Sequence, residues 1–157
     1  MVMTLQNYLD KKYPTKKQRE VIELIVAVPD DYFEGHSYSY QKSVLGNGEG
    51  SQRKKQAILP IPRSLNLNWD NLDLSDFPNV DEIELLGMEH GLTSIDFLNT
   101  LPSPEKINGI FLYGNNIKPT NIEVFSRFVN LEMLKIGTTE EELKKGKKNN
   151  FYGSFKS

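Results

Sequence analysis

The stretch INGIFLYGNNI, residues 107–117, decides the fold. Counting Ile107 as position 1, apolar residues stand at positions 1, 4, 6 and 11, and Asn115 stands at position 9. Side chains alternate along a β-strand, so positions 4 and 6 should point into a core while Phe111, at position 5, points out. A short asparagine side chain at position 9 can satisfy backbone groups where the chain leaves the strand.

The same spacing recurs less completely elsewhere in the chain. Residues 80–85 and 131–136 have apolar residues at positions 1, 4 and 6. Two earlier, poorer matches use Leu65, Leu67 and Leu72 at positions 4, 6 and 11, and Val21, Leu24 and Val26 at positions 1, 4 and 6. The sixth positions (26, 67, 85, 112 and 136) are 41, 18, 27 and 24 residues apart, and the last two spacings lie within the usual repeat length of about 20–29 residues. The sequence therefore predicts a regular C-terminal half and an irregular N-terminal half.

Units of this kind must stack, because none can bury its own apolar stripe alone. We therefore expect an α/β fold, a short solenoid with parallel strands on its concave side and helices and turns on its convex side. Strands should lie near 83–85, 110–112 and 134–136, stacked in sequence order.

Helical segments should cover this sheet. Residues 121–129 place Ile122, Phe125 and Val129 on one face of a predicted helix, and residues 4–13 form an amphipathic helix that would cover the first repeat.

The two ends of the chain differ in character. Residues 1–63 are expected to form an N-terminal cap and an irregular first repeat, with a long loop at about 29–57 that has no clear period. Residues 64–157 are expected to form the solenoid, capped by a charged helix over 139–148. Three aromatic residues follow that helix: Phe151, Tyr152 and Phe155. We expect them to fold back over the last strand, and the alternative is that they meet a partner or a second copy of the chain.

Several stretches resemble leucine-rich-repeat proteins, especially the large expansions of that family in some fungi. They are LNLNWDNLDLSDFPNVDEIEL (65–85), GLTSIDFLNTLPSPEKINGIFLYGNNI (91–117), FSRFVNLEMLKIG (125–137) and NNFYGSF (149–155). The resemblance implies a scaffold that binds other proteins, although the repeat motif specifies fold far better than function. The chain departs from the pattern near 88–92, where His90 takes the place of the asparagine if Leu92 is position 11.

Composition excludes several kinds of site. The chain has no cysteine, so disulfides, cysteine nucleophiles and thiolate zinc sites are ruled out. The net charge of −2 disfavours a globally basic nucleic-acid binder. No apolar run approaches the roughly 20 residues of a membrane helix, and the first residues lack a secretory h-region. We expect a cytoplasmic protein.

Candidate catalytic residues are few. His36 and His90 lie 54 residues apart, outside any metal-ligand spacing. Glu82 and Glu84 share one strand face about 6–7 Å apart, a separation that could serve a glycosidase, but nothing else supports that reading. The sequence therefore predicts no catalytic residue, no metal and no cofactor.

The concave face is the expected binding surface. Residues 64–104 contain eight acidic residues and no Lys or Arg. Taken alone, this run favours a solvated face that aids solubility, and attraction to a basic partner is the alternative. Outward-facing aromatic residues next to acids resemble a protein-binding hot spot. The candidates are Trp69, Asp81, Glu82, Glu84, Phe111, Tyr113, Met133 and Lys135.

Two functions from different classes follow. The first is a non-catalytic protein-binding module, an adaptor or inhibitor, whose partner has a basic surface. The second is a nucleic-acid-associated protein that uses basic segments at 11–19, 53–55 and 144–148. The concave face would lose its role if the 29–57 loop or a terminus packed over it.

Overall fold

A computed structural model describes residues 3–31, 55–62, 64–65, 67–87, 91–138, 144, 146 and 148–154. Its helical elements in these ranges are α1 (Leu5–Lys12), α2 (Lys16–Glu20) and 3-10 helices at Asp96–Thr100, Pro104–Lys106 and Ile122–Arg127. Its strands are β1 (Leu24–Pro29), β2 (Gln56–Ile61), β3 (Glu82–Leu85), β4 (Gly109–Phe111), β5 (Thr120–Asn121), β6 (Met133–Lys135) and β7 (Phe151–Tyr152). Within these ranges, none of the helices has the length and apolar character needed to cross a membrane.

Helix α1 confirms the amphipathic helix predicted at 4–13. Thr4 and Asn7 cap it reciprocally, each side chain accepting a hydrogen bond from the other residue's backbone N–H at 3.0–3.1 Å. Leu5 and Leu9 are buried in the core, and the helix ends at Tyr13, whose amide donates to the carbonyl of Leu9.

The main sheet has five parallel strands in the order β2-β1-β3-β4-β6. Ile83, Ile110 and Leu134 are register partners, so position 4 of each unit aligns with position 4 of the next. The three parallel strands predicted in sequence order are therefore confirmed, and so is the α/β class.

The phase predicted for the first unit is wrong by one residue. Ile25 is the register partner of Ile83 and lies in the main core with Ala27, whereas Leu24 and Val26 point to the opposite face. All six residues of β1 are buried, so its apolar run contains no alternation from which a phase could be read.

Strand β2 corrects the predicted loop at 29–57. Residues 56 and 57 belong to this edge strand, in which Ala57, Leu59 and Ile61 are buried at alternate positions. The predicted unit around Leu65 and Leu67 forms no strand in the residues described there. The crossover from β2 to β3 uses that segment, with Leu67 buried in the core.

Asn115 joins two layers of the sheet, as expected for position 9. Its side-chain amide donates to the carbonyls of Leu85 and Leu112 at 2.8 and 2.7 Å. Its side-chain oxygen accepts from the backbone amides of Gly87 and Leu92, each at 3.0 Å. Asn115 is fully buried. Because the backbone amide of Leu92 donates to this asparagine, we assign Leu92 to position 11 of the expanded unit.

Asn149 repeats this arrangement one layer further on. Its amide donates to the carbonyls of Leu112 and Ile136 at 2.8 and 3.2 Å, and its oxygen accepts from Ile117 at 3.2 Å. Position 9 of this unit would fall at residue 139, so ten residues are inserted before the equivalent asparagine.

The return segment after β5 is a 3-10 helix, which changes its buried face. Such a helix has three residues per turn, so residues 122, 125 and 128 align. Phe128 is 3% exposed while Val129 is 74% exposed, so the predicted face of Ile122, Phe125 and Val129 is wrong at Val129, whose place Phe128 takes.

The C-terminal aromatic segment folds back over the last layer. Phe151 packs against the core, with its ring centroid 5.8 Å from that of Phe125, and β7 pairs with β5. Gly153 makes the turn beyond it at φ +95°. The predictions for most of the 139–148 helix, Phe155, His36 and His90 fall outside the described residues.

Candidate functional site

The concave face is built from two rows of register partners. One row runs from Ile58 through Val26, Glu84 and Phe111 to Lys135. The other runs from Gln56 through Leu24, Glu82 and Gly109 to Met133. Each row therefore crosses all five strands. The first row changes from apolar on β1 to charged or aromatic on the later strands, whereas the second continues through Glu82 and Gly109 to Met133.

The half of this face over β1 is buried. Leu24, Val26, Val28 and Leu86 form a second apolar cluster, each no more than 4% exposed. Ile58 and Tyr113 pack against its borders. This half therefore behaves as a second core layer.

The half over β4 and β6 is open. Met133 is 49% exposed, Lys135 is exposed, and Phe111 is partly exposed. The Lys135 ammonium lies 5.8 Å from the centroid of the Phe111 ring, within range of a cation–π contact. We call Phe111, Tyr113, Met133 and Lys135 the open face.

Gly109 allows two of these side chains to lie close to the sheet. A methyl group on Gly109 would come within 3.0 Å of both Glu82 Cγ and Phe111 Cε2. The Phe111 ring and the Glu82 side chain therefore lie over a position that has no side chain of its own.

A groove of about 500 Å³ continues the open face past the carboxyl ends of β4 and β6. It is lined by Tyr113, Leu134, Lys135, Ile136, Gly137 and Thr138. Sequence reasoning identified Tyr113 and Lys135 and missed the others. Leu134 and Ile136 were missed because positions 4 and 6 of every unit were treated as buried, whereas none of the described strands stacks beyond β6.

Of the eight acidic residues of 64–104, the seven that the structure describes do not form one face. Asp70 accepts hydrogen bonds from the backbone of Thr93 and Ser94 and so ties two return segments together. Asp76 pairs with Arg19 at 3.6 Å. Asp73 accepts from the amide of Ser75, and Asp96 lies in the first turn of a 3-10 helix.

Three of the acids lie on or next to the concave strand β3, namely Asp81, Glu82 and Glu84. Glu84 is only 7% exposed, so Asp81 and Glu82 present most of the accessible carboxylate. The acidic character predicted for the whole face is confined to this strand.

Trp69 does not belong to the concave surface. It is 2% exposed and packs in the main core. The prediction that Trp69 faces outward assumed a strand through Leu65 and Leu67. The segment instead pairs with the start of α1, where the amide of Leu5 donates to the carbonyl of Asn68 at 2.9 Å.

Perturbed titrating groups lie in other elements. Burial raises the pKa of the Tyr13 phenol, which also donates to the carbonyl of Gln56. Hydrogen bonds from Ser75 hold the pKa of Asp73 below its usual value. Burial lowers the pKa of Arg127. In the described parts of the chain, no three His, Asp or Glu side chains come together as a metal site.

Comparison with known proteins identifies no relative. No protein-family model matches the chain, and no curated sequence or solved structure matches it significantly.

Proposed function

We propose that the chain is a short leucine-rich-repeat solenoid that acts as a non-catalytic protein-binding module. The layers of Ile83, Ile110 and Leu134 support the repeat architecture, because they lie in register at spacings typical of that family. The equivalent hydrogen bonds of Asn115 and Asn149 support it independently.

The binding surface in this proposal is the open face. The observation that carries it is the fixed, partly exposed ring of Phe111. Its strand neighbours Ile110 and Leu112 are fully buried, and Lys135 lies against its ring. An aromatic side chain already held in place loses little conformational entropy on binding, so it is suited to anchor a partner.

The partner in this proposal is a protein with an apolar anchor and a basic flank. The anchor would pack on Phe111 and Met133, and the flank would approach Asp81 and Glu82 on β3. Accessible carboxylates at the border of an interface mainly accelerate association and select partners by charge. An adaptor or an inhibitor would both use the surface in this way.

The alternative is a nucleic-acid-associated protein that uses the basic segments. Lys11, Lys12, Lys16 and Lys17 are exposed and favour this reading. Against it, Arg19 is committed to the fold, since it pairs with Asp10 at 2.7 Å and its side chain is 13% exposed.

Affinity capture from the native source tests the leading proposal. Wild-type bait is compared with Phe111→Ala/Tyr113→Ala, and Met3→Ala serves as a matched control because Met3 is exposed beside α1, at the other end of the sheet. We expect proteins captured by wild type and control to be absent with the double variant. Equal capture by all three baits would contradict the open-face proposal.

The salt dependence of binding separates the two functions. A labelled DNA or RNA duplex is titrated with the protein at increasing salt. The alternative predicts measurable affinity that falls steeply as the salt concentration rises. On DNA, the logarithm of the association constant should fall by about 0.9 per phosphate neutralised for each tenfold increase in salt. The leading proposal predicts no affinity beyond weak nonspecific binding.

A further inference from the structure

A groove of about 460 Å³ lies between α1 and the edge strand β2. Its apolar surface comes from Met3, Tyr8 and Pro60, and its polar side from Asn7, Lys11 and Lys12. Met3 is 47% exposed and Pro60 is exposed, so the apolar surface of the groove is in contact with solvent. Burying such surface against a partner is favourable.

The backbone of β2 does not offer this groove a strand to pair with. The carbonyl of Gln56 accepts from the Tyr13 hydroxyl at 3.3 Å, and the carbonyl of Ile58 accepts from the Lys12 ammonium. Pro60 has no amide hydrogen to donate. Occupied carbonyls and an edge proline prevent strand addition, so a ligand of this groove must bind through its side chains.

The charge of the groove is positive. None of the described residues that line it is acidic. The nearby carboxylate of Asp10 is already neutralised by Arg19, whose guanidinium lies 2.7 Å away. Lys11 is exposed, and Lys16 and Lys17 on the following helix α2 are exposed as well. These lysines add to one positive potential, which attracts an acidic ligand.

We propose that this groove binds an acidic amphipathic helix of a partner protein. The apolar stripe of such a helix would pack on Met3, Tyr8 and Pro60, and its carboxylates would meet the lysines. Apolar residues at positions i, i+3 or i+4, and i+7 are the usual anchors when a helix lies in a groove. A nucleic-acid backbone would satisfy the lysines but has no apolar side chain to bury beside them.

The dimensions of the groove suit a helix of this kind. Helix α1 has eight residues and is therefore about 12 Å long. Met3 lies before its first turn, and Lys11 lies in its last turn. A partner helix alongside α1 would place residues i and i+7 about 10.5 Å apart, so its apolar anchor and its acid would fit opposite ends of the groove.

The groove is a second binding surface and goes beyond the proposed function. It borders β2, whereas the open face lies over β4 and β6 at the other end of the sheet. The two surfaces also select opposite charges, since carboxylates on β3 border the open face. A chain with both surfaces can hold two proteins at once, which is the action of an adaptor rather than of an inhibitor.

Selection from a displayed peptide library tests the groove. Helical peptides with randomised surface positions are selected on the full-length wild-type protein, and the enriched peptides are then retested on Lys11→Glu and Lys118→Glu. Lys118 is the matched control, because it is an exposed lysine outside the groove. We expect the peptides that are lost on Lys11→Glu alone to combine an excess of Asp and Glu with an apolar stripe. A selection without Lys11-dependent peptides, or Lys11-dependent peptides without that acidic excess, would overturn the proposal.

Fluorescence anisotropy with one synthetic peptide from this set measures the size of the effect. We expect Lys11→Glu to weaken binding at least about 5-fold and Lys118→Glu to change it by less than about 2-fold. Met3→Ala leaves the open face intact but removes an apolar contact in the groove, so it should weaken binding of this peptide at least about 5-fold. Thermal melting checks that each variant is folded. Wild-type affinity in a folded Met3→Ala protein would show that charge alone holds the peptide and would overturn the groove as its site.

A DNA duplex titrated in parallel separates the acidic helix from a nucleic-acid ligand. We expect the duplex to bind more weakly than the peptide at about 0.15 M salt. Duplex binding that is tighter than peptide binding and equally sensitive to Lys11→Glu would overturn the proposal in favour of the nucleic-acid alternative.

Discussion

The two halves of the sheet use apolar residues differently. In β3, β4 and β6 the core-facing residues alternate with more varied residues on the concave face, and the strands follow one another in sequence order. Strand β1 is buried on both faces, and β2 lies outside it, out of sequence order. The half over β1 provides a second core layer, whereas the half over β4 and β6 leaves an open surface.

This difference shows how the same sheet can provide both support and a binding surface. A parallel strand with both faces covered needs apolar residues at every position, while a strand with one open face is free to vary its outward residues. The open face is therefore expected where alternation is strong, over β4 and β6.

The largest expected difference in stability is between two variants that each place one charge in the same row, one in its buried half and one in its open half. Val26→Asp buries an unpaired carboxylate, which costs several kcal/mol and should unfold the protein. Phe111→Asp leaves its carboxylate in contact with solvent, and we expect it to remain folded. Circular dichroism with thermal melting distinguishes them, and a folded Val26→Asp protein would show that β1 has only one buried face.

The next effect concerns the asparagine links at the end of the sheet that contains β3, β4 and β6. Asn115→Ala leaves three backbone groups without their partner, namely the carbonyl of Leu85 and the amides of Gly87 and Leu92, while the Leu112 carbonyl keeps its hydrogen bond from Asn149. We expect a loss of about 3 kcal/mol or more, at about 1–3 kcal/mol per group. Asn149→Ala should cost about 1–2 kcal/mol, because water reaches the terminal layer. Urea denaturation measures both losses, and equal losses would contradict the argument that the interior layer is sealed from water and the terminal layer is not.

Glycine packing beneath Asn115 should give a smaller effect. A methyl group on Gly91 would come 2.2 Å from Asn115 Oδ1 and 2.5 Å from the Cα of Gly87. We expect Gly91→Ala to cost about 1–3 kcal/mol through overpacking. Gly137→Ala is the control, since its methyl group would meet nothing within 4 Å, and a similar loss there would remove the packing explanation.

The smallest expected effect is a pH dependence linked to Asp73. Because hydrogen bonds from Ser75 lower its pKa in the folded state, its stabilising contribution is present above the ordinary value of 3.8 and lost as pH falls through the lowered one. Asp73→Asn should make stability less pH-dependent in that acidic range. An unchanged acid profile from urea melts between pH 2 and about 5 would contradict this.

How much the sequence could predict depended on alternation and spacing. Ile110 and Leu112 flank outward Phe111, so their phase and parallel pairing could be predicted. Strand β1 has no polar residue to mark its phase, and the prediction slipped by one residue there. Asn149 was not recognised as position 9 because ten inserted residues separate it from its strand.

The candidate site was predictable to a similar extent. Phe111, Met133 and Lys135 lie on the open face as predicted, since they belong to units whose phase was correct. Trp69 was misplaced because its unit is not a strand. Burial of Glu84 depends on the neighbouring strand β1, which is distant in sequence.

Binding measurements on one row test the central claim that the open half of the concave face is the interaction surface. Ile58 and Phe111 lie in the same row at opposite halves of the sheet. Titration calorimetry with the captured partner should show at least about a 10-fold loss of affinity for Phe111→Ala, or about 1.4 kcal/mol. We expect Ile58→Ala to change affinity by less than about 2-fold. Wild-type affinity in Phe111→Ala, with a loss in Ile58→Ala, would contradict the account.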